Sequence, residues 1–291
     1  MKLWLVLPFL PTRRLGELAV LAEQTGFEGV AIGDHVCVPD QVTSIYPYSG
    51  RVAELPIDTE FPAPFVLAAG LGAATTRLRF MTYVFLVPLR HPILLARDVA
   101  TAAALTGGRV DVGAGVGWME EEFSALGVPF HRRGAIMDES LPLLRRFWDG
   151  EVVKHDGENY SFPAVAIHPV PPVRMKLFIG GYSRSAIRRA AALGDGWVAV
   201  NPGVEELKDL LAQLQEARQS FGRDGEPFEV RTGLKGELTD DRIRAVRDLG
   251  VDALFVMPWQ LGEKTWIYDV SVEAVADLAP GFFARAQAAL A

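Results

Sequence analysis

Cysteine and histidine are scarce in this sequence of 291 residues, which holds one cysteine, Cys37, and five histidines. A single cysteine cannot form an intramolecular disulfide or a cysteine-rich metal site, and it fits a reducing cytoplasm. No two histidines have the i, i+4 spacing that places two metal ligands on one helix face. We therefore expect no metal centre. The histidines are His35, His91, His131, His155 and His168.

Positive charge and long apolar runs are also lacking. The formal net charge is -7 at pH 7 and the isoelectric point is about 5.3, so nucleic acid and anionic membranes are not attracted in general. No apolar run approaches the ~20 residues that a membrane-spanning helix needs. Pro8 and Pro11 interrupt the apolar start MKLWLVLPFLP, which we interpret as a buried strand rather than a signal peptide. We expect a cytoplasmic protein without nucleic-acid or membrane partners.

What the sequence does contain is a repeated alternation of short apolar runs with helical patterns. Several runs lack a polar–apolar alternation, as expected of strands that other layers cover on both faces. Eight strand–helix units predict an α/β protein with a single (β/α)8 TIM barrel over residues 1–291, and an open doubly wound sheet is the weaker alternative. The strand segments are KLWLVLPF, EGVAIGDH, RLRFMTYVFLV, GRVDVGAGVG, KLFIGG, DGWVAV, FEVRTGLKG and VDALFVMPW.

Two stretches interrupt this alternation. Residues 36–61 form a long loop after the second strand, and long loops in compact domains are usually functional or disordered. Residues 152–172 predict a hairpin around Asp156-Gly157 and then an extended proline-rich segment. We expect this second excursion to be an insertion before the fifth strand.

The pair Asp34-His35 ends the second predicted strand, on the face where TIM barrels carry their active sites. Histidine is a natural proton donor or acceptor near neutral pH, and the plainer alternative is a solvated strand end with Asp34 capping a turn. Adjacent residues of a strand point to opposite faces, so the two side chains need not touch each other. No G-x-S-x-G nucleophile elbow accompanies them.

Glycines mark two further strand ends. In IGGYSRSAIRRAA, Gly180-Gly181 precede a helix that begins at Ser183 or Ser185, which predicts an anion cradle or, more plainly, a tight turn with a serine cap. In GAGVGWMEEEF, alternating glycines leave one strand face bare, which would let a flat ring approach. The three glutamates that follow could simply serve the helix dipole.

In this order, the segments IGDHV, RLRFMTYVFLVPLRHPILLARDVATAAALTGGRVDVGAGVGWMEEEF, RRGAIMDESLPLLRRFWDG and KLFIGGYSRSAIRRAAALGDGW resemble the luciferase-like monooxygenase superfamily. Within it they resemble the branch that uses coenzyme F420, a deazaflavin. The resemblance extends to about Trp197, and the last third matches mainly in its barrel pattern. It implies a (β/α)8 barrel with an insertion before the fifth strand and a deazaflavin or flavin at the strand ends.

The resemblance also implies roles for individual residues. A non-prolyl cis peptide bond at Tyr83-Val84 would back the cofactor ring. Asp34 would lie near that ring, and His35 would be the proton donor or base toward the substrate. Other cofactor contacts would be made by Val116, Gly117 and Glu121 along the cofactor, and by Gly180, Gly181 and Ser183 at its phosphate.

One position departs from the family pattern. In the deazaflavin-dependent sugar-phosphate dehydrogenase of this superfamily, a glutamate follows the glycine pair of the fourth strand, whereas this sequence has Trp118. Glu120 or Glu121 could substitute for it, but the substrate cannot be assumed. We expect an apolar substrate pocket lined by Trp118, Tyr46, Tyr48 and Trp259.

These expectations define three functional hypotheses. The first is hydride transfer between coenzyme F420 and a small organic substrate, with His35 managing the proton. The second is an FMN-dependent monooxygenase that takes reduced flavin from a partner reductase. The third is a member of the fold that binds flavin without catalysis. In each case the resemblance makes a homodimer plausible.

Overall fold

A closed barrel of eight parallel strands forms the centre of the computed structural model, which describes residues 1–7, 9–261 and 271–291. Each strand pairs with the next in the chain, and the first pairs with the last through Trp4 opposite Phe255, so the predicted (β/α)8 barrel is confirmed. Pro8, the second-last residue of the first predicted strand, lies outside the described residues. The strands are β1 (Lys2–Val6), β2 (Gly29–Ile32), β3 (Arg79–Thr82), β4 (Val110–Gly115), β5 (Leu177–Gly180), β6 (Gly196–Ala199), β7 (Glu229–Thr232) and β8 (Ala253–Val256).

Helices surround the barrel because the strands are apolar on both faces and need cover on the outside. Four of the eight strands are buried along their whole length: β2, β4, β6 and β8. The helices are α1 (Leu15–Thr25), α2 (Pro64–Ala73), α3 (Pro92–Leu105), α4 (Glu120–Ala125), α5 (Arg133–Trp148), α6 (Arg184–Leu193), α7 (Val204–Ser220), α8 (Asp240–Asp248) and α9 (Val272–Leu290).

Both predicted excursions contain a short antiparallel hairpin. Strands Val153–Asp156 and Ser161–Val165 pair directly before β5, as predicted, and their turn is held by Glu139 of α5, which accepts hydrogen bonds from the backbone of Asn159 and Tyr160. The loop after β2 contains two-residue strands at residues 45–46 and 51–52, which the sequence pattern did not predict. We call residues 45–52 the tyrosine hairpin.

A short strand at residues 85–86 runs beside β4, pairing Phe85 with Ala114. The chain therefore leaves the barrel after Thr82 and rejoins it two residues later. We call Tyr83 and Val84, which lie between, the 83–84 bulge. It lies at the carboxyl end of β3, so it faces the edge of the barrel where the strands of this fold carry their sites.

The amino end of the barrel interior holds a buried ion network. Asp111 of β4 accepts hydrogen bonds from Arg79 at 2.6 Å and from Arg231 at 2.9 Å. The Arg231 guanidinium carbon lies 4.0 Å from the ring centre of Phe178 and 4.8 Å from that of Trp4. Below this network a cavity of about 740 Å³ opens on the amino-terminal face, away from the strand ends discussed next. The network therefore belongs to the structural end of the barrel.

Within the described ranges, no helix combines the length and apolarity that crossing a membrane requires. In the same part of the chain, no three histidine, cysteine, aspartate or glutamate side chains are grouped so that they could hold a metal ion.

Candidate active site

His35 and Glu122 form a hydrogen-bonded pair just beyond the end of β2. Nδ1 of His35 lies 2.7 Å from Oε2 of Glu122, while Oε1 accepts a hydrogen bond from the backbone N–H of Val36 at 2.7 Å. Glu122 is fully buried, and the His35 side chain is 16% exposed. The imidazole packs edge-on against Phe61 and Trp118, at centroid distances of 4.7 and 5.9 Å. No described residue hydrogen-bonds to Nε2, which leaves that nitrogen for a ligand.

The sequence interpretation missed Glu122 because it is the third of three consecutive glutamates. A usable signal was present in the helical spacing of α4. Met119, Glu122 and Phe123 are three and four residues apart, and all three are buried. Since such positions share one face of a helix, the two apolar residues indicate that Glu122 also points inward.

Asp34 points away from that pair and fastens β2 to the segment after the 83–84 bulge. Its carboxylate takes a bidentate ion pair from Arg90, with Nη2 to Oδ1 at 2.8 Å, and a hydrogen bond from the Leu86 N–H at 2.8 Å. The Arg90 guanidinium in turn lies 4.1 Å above the ring centre of Phe85. The predicted contact of Asp34 with a cofactor ring stays a prediction, and the contacts present make it an anchor for the bulge.

Glu121 is committed to the loop after β2. Its carboxylate accepts hydrogen bonds from the backbone and hydroxyl groups of Thr43 and Ser44, at 2.6 to 3.0 Å. Burial opposes ionisation, but these hydrogen bonds outweigh it and lower the pKa of Glu121 to about 2. Glu120, the other residue considered in place of the missing acid, has an exposed side chain. The acid that contacts His35 is thus neither of them, and the predicted cofactor contact of Glu121 stays a prediction.

Aromatic rings of the tyrosine hairpin lie across the mouth of the barrel. Tyr46 packs against Trp118 at 5.1 Å and against Tyr48 at 5.3 Å, and Tyr48 packs against Tyr182 at 4.8 Å. Burial raises the pKa of Tyr48 to about 12, so its hydroxyl stays protonated at neutral pH. Together with His35 these rings form a continuous row, which we call the aromatic row. It joins the end of β2 to the end of β5.

Three of the four residues expected in a substrate pocket are therefore neighbours: Trp118, Tyr46 and Tyr48. Trp259 follows β8 and packs against the interior of the barrel, where Tyr83 and Val84 also pack. Among the described residues, no ring contact joins Trp259 to the aromatic row. The assignment of all four to a substrate pocket stays a prediction.

The 83–84 bulge contains a cis peptide bond between Tyr83 and Val84, at the position that the family resemblance implied. The Tyr83 hydroxyl donates to the carbonyl oxygen of Ala199 at 3.3 Å, and its ring packs 4.5 Å from Phe255. Burial raises the pKa of Tyr83 well above its ordinary value. The bulge is thus tied to the ends of β6 and β8, and its contact with a cofactor ring stays a prediction.

The bare face of the glycine-rich strand does not admit a flat ring, and that interpretation was wrong. A Cβ atom on Gly115 would lie 2.5 Å from a methyl group of Val84, and one on Gly113 would lie 2.1 Å from the Thr82 carbonyl oxygen. A Cβ atom on Gly117, where φ is +83°, would lie 2.8 Å from the Phe123 ring. The missing side chains therefore make room for the bulge and for α4. The predicted cofactor contacts of Val116 and Gly117 beyond the strand end stay predictions.

The end of β5 and the start of α6 have the form of the predicted anion cradle. Gly181 has a φ of +113°, and the Ser183 hydroxyl caps α6 by accepting from the Ala186 N–H at 3.2 Å. The backbone N–H groups of Arg184 and Ser185 lie in the first turn of α6 and have no acceptor within the helix. The serine cap is therefore present. Residues 183–185 are also exposed, which gives an anion access to the helix start. Anion binding at Gly180, Gly181 and Ser183 stays a prediction.

Asn201, at the end of β6, was not selected from the sequence. Its φ of 52° is the one positive value at a non-glycine residue in the described part of the chain. Its Oδ1 atom is buried and has no hydrogen-bond partner among the described residues. A Cβ atom on Gly233 would lie 2.0 Å from that oxygen and 3.0 Å from the Tyr83 hydroxyl. An unsatisfied buried acceptor at a strand end is a place where a ligand could donate a hydrogen bond.

A (β/α)8 barrel with a histidine–carboxylate pair, an exposed helix start and a row of aromatic rings at its strand ends has the form of a TIM-barrel enzyme. The sequence model of the family described as luciferase-like monooxygenase matches residues 7–284. The chain therefore belongs to the luciferase-like monooxygenase family.

Individual relatives agree with this assignment. An uncharacterized protein of Mycobacterium bovis is 34% identical over 252 residues, covering 85% of this chain and 87% of that protein. The F420-dependent glucose-6-phosphate dehydrogenase of Beutenbergia cavernae is 31% identical over 278 residues, 92% of this chain and 76% of the dehydrogenase. The crystal structure of monooxygenase RslO1 from Streptomyces bottropensis has a TM-score of 0.68 at 23% identity, over 99% of this chain and 83% of that one. That last similarity shows the fold alone.

Proposed function

We propose that this protein is an oxidoreductase that transfers a hydride between coenzyme F420 and a small organic substrate, with Nε2 of His35 exchanging the accompanying proton. The observation that carries the proposal is the geometry of His35. Its Nδ1 is held by Glu122, its Nε2 has no partner among the described residues, and it borders the aromatic row. A histidine placed in this way can give or take one proton near neutral pH.

The residues present fit a phosphate-bearing deazaflavin or flavin. The exposed start of α6, with Gly181 and Ser183, supplies N–H groups for a phosphate. Oδ1 of Asn201 supplies a buried acceptor that lacks a donor. Asp34 would act by holding the 83–84 bulge against the ring, and the backbone at Val116 and Gly117 would line it. When bound, a deazaflavin accepts or donates the hydride.

The aromatic row would exclude water from the reacting atoms. Trp118 packs against His35 and Tyr46 packs against Trp118, so a substrate bound beside His35 would be covered on its solvent side. Because Trp118 replaces the glutamate of the sugar-phosphate dehydrogenase, we propose a small and partly apolar substrate rather than a sugar phosphate. The pocket then discriminates by apolar contact more than by charge.

Similarity to the Beutenbergia cavernae dehydrogenase supports F420 as the cofactor. Membership of the luciferase-like monooxygenase family supports an alternative, an FMN-dependent monooxygenase that receives reduced flavin from a partner reductase. Titration of the purified protein with F420 and with FMN, followed by quenching of cofactor fluorescence, separates the two. Tight binding of FMN without binding of F420 would favour the FMN-dependent monooxygenase over the F420-dependent oxidoreductase. A protein that binds either cofactor but turns over no carbonyl, imine or alkene acceptor would be the non-catalytic member.

The role of His35 is tested by replacing it with alanine. We expect turnover to fall about 10²-fold or more while the Kd for the cofactor stays within about twofold, since the proton donor is lost and the cradle is intact. The exposed His131 provides a control, and H131N should behave as the wild type. Unchanged turnover in H35A would remove the proposed role.

A homodimer is part of the proposal. Val66 on α2 and Leu94 and Leu105 on α3 are 75%, 49% and 68% exposed, and α2 packs beside α3. Exposed apolar side chains on neighbouring helices favour burial between two subunits. Light scattering should give about twice the chain mass of 31.8 kDa, and V66E should shift it toward the monomer. A monomeric wild type would contradict this part.

A further inference from the structure

We propose that Glu122 is a positioning residue for His35, which fixes the imidazole proton on Nδ1 and leaves Nε2 as the atom that meets the substrate. The part about Nε2 rests on the proposed function. The part about Nδ1 rests on the geometry of the pair alone, and the two parts can be tested separately.

The carboxylate of Glu122 is built into the site at both oxygens. Oε2 faces Nδ1 of His35 at 2.7 Å, and Oε1 accepts the N–H of Val36 at 2.7 Å. The Glu122 side chain therefore contacts both the imidazole of His35 and the backbone of Val36. Because Glu122 is fully buried and α4 carries it, the imidazole is held against a rigid element. A group positioned in this way loses little freedom when it reacts.

The chemistry of the two partners decides where the proton sits. An ionised carboxylate only accepts hydrogen bonds, so Nδ1 must donate and the neutral ring carries its proton there. A buried carboxylate also needs compensation, and the described residues include no lysine or arginine in an ion pair with Glu122. The N–H groups of His35 and Val36, one at each carboxylate oxygen, would provide it as donors.

For an alcohol and carbonyl pair the proton balance is simple. When the carbonyl carbon gains the hydride, its oxygen gains the proton that Nε2 gives up. In the reverse direction, Nε2 takes the hydroxyl proton as the carbon loses its hydride. Glu122 keeps its charge throughout and stabilises the imidazolium form, as orienting carboxylates beside catalytic histidines do.

The test uses Glu122→Gln, which is nearly isosteric. The Gln oxygen can still accept from Val36, but its NH2 group then faces Nδ1, which must become an acceptor. We expect the imidazole proton to move to Nε2, visible as an exchange of the two 15N shifts of His35 in the neutral ring. The signals are assigned by their loss in H35N. In the cofactor-loaded protein, kcat should fall about 10²-fold with the cofactor Kd unchanged.

The exposed Glu120 provides the matched control, and E120Q should keep both the wild-type 15N pattern and the wild-type kcat. The same imidazole tautomer in E122Q and wild type would overturn the inference. If E122Q does not fold, the 15N spectrum of the wild-type protein tests the inference. A neutral His35 ring with its proton on Nε2 and none on Nδ1 would also overturn the inference. If no substrate is turned over at all, the proposed function fails while the 15N comparison still stands.

Discussion

The ring of Tyr48 packs 4.8 Å from that of Tyr182, and its hydroxyl oxygen lies 3.8 Å from where a Cβ atom on Gly181 would be. The tyrosine hairpin, which follows β2 in the chain, thus reaches the anion cradle at β5. A cofactor phosphate in the cradle and Tyr48 at its present position would be close neighbours. We therefore predict that the hairpin controls entry to the cradle, in addition to its predicted place in a substrate pocket.

Replacing Tyr48 with alanine should speed cofactor entry. Loss of its contacts with Tyr46 and Tyr182 removes aromatic pairs worth about 0.5–1.5 kcal/mol each, so opening of the hairpin becomes easier. We expect the association rate constant for F420 to rise about 3- to 10-fold, measured by stopped-flow fluorescence. Ile45, on the same hairpin but exposed, gives the control I45A with no change. An association rate that is unchanged or lower in Y48A would rule out a hairpin that restricts entry.

The contact between Glu121 and the loop should depend on pH. Its pKa is lowered from 4.5 to about 2 in the folded protein, so the ionised form is favoured by folding. The stabilisation is fully present above about pH 4.5 and is lost as the pH falls toward 2. We expect E121Q to be less stable than the wild type in urea at pH 6, with a difference that shrinks below pH 4.5. E120Q is the control, and a difference independent of pH would contradict the assignment.

The barrel was predictable because its signal is local and repeated. Each strand–helix unit shows its own periodicity, as in KLFIGG followed by SRSAIRRAAALG, and eight such units leave few topologies. The glycine turn and the serine cap at the start of α6 were predictable for the same reason, since Gly181 and Ser183 are close in sequence. The cis bond at Tyr83-Val84 was not a matter of local pattern, and its position followed from the family resemblance.

The pairings across the mouth of the barrel were not predictable in this way. Glu122 contacts His35 although the two residues are 87 positions apart in the sequence, and Tyr48 and Tyr182 are in contact across a longer stretch of sequence. The glycines of β4 indicated free space, but Thr82 of β3 and Val84 of the 83–84 bulge fill it. Such partners are chosen by packing in three dimensions, so a single sequence gives the candidate residues and not their contacts.

The ion network at the amino end of the barrel should affect stability without affecting chemistry. In D111N the charges of Arg79 and Arg231 would lose their shared carboxylate inside the barrel. Removal of one partner from such a buried network costs about 3–5 kcal/mol. We expect urea unfolding of D111N to show a loss of this order, while the folded fraction keeps the wild-type kcat and cofactor Kd. A changed kcat with normal stability would place function at this end of the barrel instead.

Replacing Ser183 tests whether this residue only caps α6 or also contributes to an anion site. It caps α6, as Thr239 caps α8 by accepting from the Arg242 N–H. Loss of either hydroxyl should lower stability by about 1 kcal/mol, so S183A and T239A are matched in their structural effect. If the start of α6 also binds the cofactor phosphate, S183A alone should raise the Kd for F420, by about 10-fold or more as expected for one lost hydrogen bond to a charged group. An equal change of the Kd for F420 in S183A and T239A would show that Ser183 is only a helix cap.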